Sequence, residues 1–113
     1  MQITDRQEGP ILVIELDGRL DHAGAELFRE HALKLIESGA RSIVVDFNNT
    51  SFVASMGIRA LIFPAQEMSK NGGRFALTGF SPSVRQLFEV AGLMTMFKVY
   101  PSLAEAAADG IWA

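Results

Sequence analysis

The stretch "VVDFNNTSFVASMGIRAL", residues 44–61, changes periodicity in its middle. Val44 and Val45 belong to "SIVVDF" (42–47), a run short enough for a strand and apolar enough to be covered on both faces, as inner parallel strands are. Beyond the polar "NNTSFVA" (48–54), Ile58, Leu61, Ile62, Ala65 and Met68 recur at helical spacing, and "NGG" (71–73) supplies the stop. The segment therefore reads as a central strand, a turn and a helix, with Ser55 and Gly57 at the junction. Pro64 lies inside that helix, where it removes one backbone bond and predicts a kinked, less regular second half.

The same logic extends to both sides. Upstream, "ILVIEL" (11–16) is a β-branched strand separated by "EGP" from the weaker strand "QITDR" (2–6), which predicts an N-terminal hairpin. Asp21 is placed to cap a helix from about Ala23 to Ser38, with Leu27, Phe28, Leu35 and Ile36 on one face and Gly39 as its stop. Downstream, "RFALTG" reads as a strand, and "SPSVRQLFEVAGL" as a helix with Ser81 at the N-cap, Pro82 at the first helical position and Gly92 as terminator. "FKVY" is a last strand, and Ser102 with Glu105 forms a capping box for "SLAEAAADG". Strands alternating with helices favour parallel pairing through right-handed crossovers, with the hairpin as an antiparallel edge. The expected fold is α/β: a mixed, mostly parallel sheet of about five strands with about four helices.

Composition excludes several functions. The 113 residues, 49% of them hydrophobic, suffice for one domain spanning 1–113 with a core of its own. The net charge of −3, with acids and bases interspersed, lacks the basic footprint that nucleic acid requires. No cysteine is present, which removes disulfides, thiolate zinc sites and cysteine nucleophiles. "MQITDRQEGP" lacks the basic start and apolar core of a secretion signal, and apolar runs such as "ALIFPA" are far shorter than the ~20 residues of a membrane span, so a cytoplasmic protein is expected.

Ser55 invites three chemistries. A hydrolase elbow would read Gly-x-Ser-x-Gly, but Val53 stands where the first glycine belongs, and only His22 and His31 could act as histidine bases. Neither phosphate-binding glycine motif occurs, and Asp17, Asp21 and His22 are too generic a set for a metal, so no cofactor is expected. The remaining readings share one geometry. Ser55 as an N-cap would accept from the next turn's N–H groups, and a phosphate on Ser55 would be held by those groups and the helix dipole.

Residues 44–61 resemble the signature of the STAS domain family, in which a strand leads through a polar turn to Asp-Ser-(Ser/Ala)-Gly-(Leu/Ile) and a helix. "LDGRLDHAGA", "GGRFALTGFSPSVRQLFEVAGL" and "FKVYPSLAEAAA" extend the resemblance in order over nearly the whole chain. It implies a non-enzymatic protein-binding switch. In the anti-sigma factor antagonist branch, the unphosphorylated domain binds an anti-sigma factor that is itself a serine kinase of the histidine-kinase-like ATPase type, and phosphorylation of the motif serine ends the binding. Ser55 matches that acceptor. Asp21, Asp46, Gly57 and Ile58 match positions near the family's site, and Phe52, Ala54, Met56 and Arg59 complete the expected partner-binding set. Phe52 and Met56 would add apolar contact area. The family's aspartate before the acceptor is Ala54 here, which removes a carboxylate next to Ser55. That departure favours the alternative implied by the same family: an unphosphorylated accessory subunit docking on transporter subunits. Homodimer formation is compatible with either.

Overall fold

The computed structural model describes residues 1–112. Strand β1 (Gln2–Glu8) turns at Gly9 and Pro10 into β2 (Ile11–Leu20), with Glu8 opposite Ile11 and Gln2 opposite Asp17 in an antiparallel ladder. Gly9, at φ +58°, takes the left-handed turn position that side chains resist. β1 is an edge strand, and its exposed Arg6 pairs with Glu8 and Glu15 at 3.0 and 3.1 Å. Such charge discourages a second chain from adding to the sheet.

β2 continues into helix α1 (His22–Glu37), capped by the Asp21 carboxylate, which accepts from the Gly24 N–H at 3.0 Å. The buried face is Ala25, Phe28 and Ala32; Leu27, expected to share it, is 49% exposed because its neighbour Phe28 takes the inward position. Gly39, at φ +97°, ends the helix. β3 (Ser42–Asp46) is buried along its whole length between β2 and β5 (Arg74–Thr78), parallel to both, which bears out its central placement.

Six strands form among the described residues, one more than the expected number. The sheet runs β1-β2-β3-β5-β6, with β6 (Lys98–Tyr100) at the far edge, while β4 (Thr50–Val53) pairs only with the last residues of β2. β2 is thus shared: Leu12–Glu15 pair with β3 and Gly18–Leu20 with β4. The Thr50 hydroxyl donates to the Leu16 carbonyl at 2.9 Å and fastens β4 at the branch. β4 escaped the sequence reading because its two middle residues, Ser51 and Phe52, are exposed and its four residues sit within a polar turn.

Helix α2 (Ser55–Lys70) runs without a break through Pro64. The helix thus does not end at the proline as a break would require, and Pro64 is buried on the same helix as Leu61 and Met68. α3 (Pro82–Val90) starts as anticipated, the Ser81 hydroxyl accepting from the Val84 N–H at 3.2 Å. The main core joins α1, α2 and α3 to one face of the sheet, where Phe88 of α3 meets Phe47 and Phe97 edge to face and Phe80 at a tilt. The other face carries a smaller core of Ile11, Val13, Val44, Ala76 and Tyr100, covered by α4 (Leu103–Ala108) and Trp112. No helix among the described residues is long and apolar enough to cross a membrane.

Candidate functional site

Two helices begin at the end of β2, and two glycines let them. A Cβ on Gly24 of α1 would stand 2.5 Å from the Arg19 carbonyl oxygen, and one on Gly57 of α2 would stand 2.6 Å from that of Leu20. Both distances lie well inside contact, so only glycine permits this convergence. The Ala54 N–H donates to the same Leu20 carbonyl at 3.0 Å, locking the approach to α2 onto the strand.

Ala54, not Ser55, is the N-cap. Its extended backbone, φ −92° and ψ 167°, precedes the helix, and its carbonyl accepts from Gly57 and Ile58 at 2.9 and 3.1 Å. No side chain caps this turn, since a methyl group has no acceptor. The capping role expected of Ser55 is therefore corrected: Ser55 is the first helical residue, exposed, and among the described residues its hydroxyl makes no hydrogen bond. A free hydroxyl stands at the positive end of a helix dipole.

Around it the expected residues divide. Phe52 and Met56 are 40% and 41% exposed, and Arg59 is exposed, so these three share the open surface with Ser55. Asp21 lies beside them at the start of α1, half-exposed, its carboxyl held below the usual range first by the Gly24 N–H and further by nearby Arg19. Ala54 is half-buried. Gly57 and Ile58 are buried and position the helix from below. Asp46 does not reach the surface either: it is 3% exposed, accepts from the Asn48 N–H at 2.9 Å and abuts Gly79, so it holds the β3–β4 turn from inside.

Arg19 is a surface residue that sequence reasoning missed. Opposite Phe52 in the β2–β4 ladder, it lays its guanidinium 4.2 Å from that ring and reaches the Asp21 carboxylate at 3.8 Å. The register shift after Gly18 aims Phe52 at it. Its only sequence signal was its place in "LDGRLDHAGA". No cluster of His, Cys, Asp or Glu able to hold a metal is found among the described residues. What remains is an exposed platform, partly apolar and partly charged, built around a serine hydroxyl with no hydrogen bond among the described residues.

The STAS domain family model matches residues 2–106, and the chain belongs to this family. BtrV of Bordetella bronchiseptica, provisionally named an anti-sigma factor antagonist, is 28% identical over 108 residues, covering 96% of this chain and 93% of its own. The anti-sigma F factor antagonist of Paenibacillus polymyxa is 24% identical over 107 residues, covering 94% and 92%. Among solved structures, the anti-sigma factor antagonist SpoIIAA from Bacillus, in its unphosphorylated form, superimposes with a TM-score of 0.73 at 26% identity, covering 94% of both chains. All three relatives are named anti-sigma factor antagonists, a regulatory kind of protein.

Proposed function

We propose that this protein is an anti-sigma factor antagonist that binds an anti-sigma factor of the serine-kinase type through the surface around Ser55 and is released when Ser55 is phosphorylated. The observation that carries the proposal is the Ser55 hydroxyl, exposed at the first position of α2 and without a hydrogen bond among the described residues, between exposed Phe52 and Met56. A kinase can reach such a hydroxyl without unfolding the domain. A phosphate there adds about −1.5 to −2 charges at the centre of the contact, yet faces the favourable end of the helix dipole. The interface turns repulsive while the fold is kept.

The test is affinity capture from source cells with wild-type, Ser55→Ala and Ser55→Asp baits, with mass spectrometry of partners and of the Ser55 peptide. The expected result is an ATPase-type anti-sigma factor on the first two baits, its loss from the third, and a phosphorylated fraction of Ser55. Equal recovery on all three baits would overturn the switch. Transporter subunits on every bait, with no phosphate, would establish the accessory-subunit reading instead.

A further inference from the structure

Beside Ser55 the outer surfaces of α1 and α2 diverge and leave a groove of about 460 Å³. Its floor is made of two small residues, Ala25 and Ala60, which allow close approach, and its apolar walls are Leu33, Met56 and Phe63. Along α2 the lining residues Met56, Ala60 and Phe63 fall at helical spacing, and along α1 the lining runs from His22 to Leu33, so the groove is roughly 10–16 Å long at 1.5 Å per residue. A concave trough cannot be filled by the same trough of a second copy. The shape that fits between two helices is the ridge of a third, about three turns long.

The rim specifies that helix. Arg29, Arg59, Glu26 and Glu30 stand around the groove. Neither arginine nor Glu30 forms an ion pair among the described residues, and Glu26 only reaches His22 at 4.0 Å. The Arg29 guanidinium leans towards α2, 5.5 Å from the Phe63 ring, which leaves the two carboxylates on α1 and the positive charge towards α2. Glu26 and Glu30 are also four residues apart, a like-charge spacing that disfavours an isolated helix and gains from an outside cation.

We propose that this groove receives an amphipathic helix of the anti-sigma factor, with an apolar stripe flanked by carboxylates towards Arg29 and Arg59 and by ammonium groups towards Glu26 and Glu30. The proposal rests on the functional reading above and divides the labour within it. The groove supplies affinity, and Ser55, joined to it through Met56, supplies the switch.

The probes are synthetic fifteen-residue helices titrated into the full-length protein and followed by amide chemical shifts. One carries a leucine stripe with glutamates on one flank and lysines on the other; a second has the stripe changed to serine; a third has lysines on both flanks. The mixed leucine peptide is expected to move the Ala25, Arg29, Ala60 and Phe63 amides, and the serine peptide to leave them still. The double variant Arg29→Glu/Arg59→Glu, checked for unchanged thermal unfolding, should bind the mixed peptide about tenfold more weakly and come to prefer the all-lysine peptide. Shifts centred elsewhere, no shifts, or an unchanged preference would overturn the groove proposal. Capture separates this from the function itself. An anti-sigma factor retained by the double variant but lost by Ser55→Asp would sink the groove and leave the switch standing; none retained by the wild type would sink the function.

Discussion

Ala54 stands where a helix usually takes a side-chain oxygen, and it has none. The carboxylate that the family signature places there would be a preferred cap, so Ala54→Asp should raise stability by about 1 kcal/mol, read as a higher denaturant midpoint at unchanged slope. Ser55→Ala should shift stability by less than about 0.5 kcal/mol, because the hydroxyl bonds to nothing among the described residues. A loss near 1 kcal/mol on Ser55→Ala would instead show that Ser55 caps the helix. The residue types at this junction were legible, but the one-residue offset between cap and helix was not. That offset is set by the Ala54 N–H bond to Leu20, a contact between segments 34 residues apart in the chain. The burial of Asp46 was illegible for a related reason, since a strand-ending aspartate reads the same whether it faces solvent or Asn48.

Among the elements, those with complete local signals were readable: α3 has its serine cap, its Pro82 and Gly92, and all three act as anticipated. β4 and the run of α2 through Pro64 depend on neighbours instead, on β2 for hydrogen bonds and on the core for packing. The last strand offers a titration test of the same dependence. Burial, then the hydrogen bond from its hydroxyl to Asp109 at 2.6 Å, pushes the Tyr100 phenol from 10.0 up to about 12. A raised value means that the protonated phenol is favoured by folding. Its contribution is complete below pH 10, falls away between 10 and about 12, and is gone above. Tyr100→Phe should therefore lose stability near neutrality and show a flatter decline than wild type over that alkaline range, measured by urea unfolding at each pH. Parallel declines would mean that the phenol is not held as the structure has it.

At the scale of the whole molecule, the two faces of the sheet are unequal. Three helices cover one, while the other depends on α4, six residues long, and on Trp112, whose indole N–H donates to the Ala106 carbonyl at 2.7 Å. A chain ended after Pro101 should keep its main core but expose Ile11, Val13, Val44 and Ala76. Such an apolar patch promotes association. The expected outcome is bound hydrophobic dye and a larger species on gel filtration; a monomeric, dye-silent protein would show that the small core is dispensable. The overall architecture was the most legible feature, because alternating strands and helices leave few arrangements. The groove between α1 and α2 was the least legible, since it arises from the spacing of two helix axes.

Because the Leu20 carbonyl receives the Ala54 N–H while Gly57 rests against it, the exchange of that single amide with deuterated water is a clock for the whole junction. Its proton can leave only when β4 and the start of α2 lift from β2 together. The rate at which it is replaced, with and without a charge on Ser55, would time how often the docking surface comes apart.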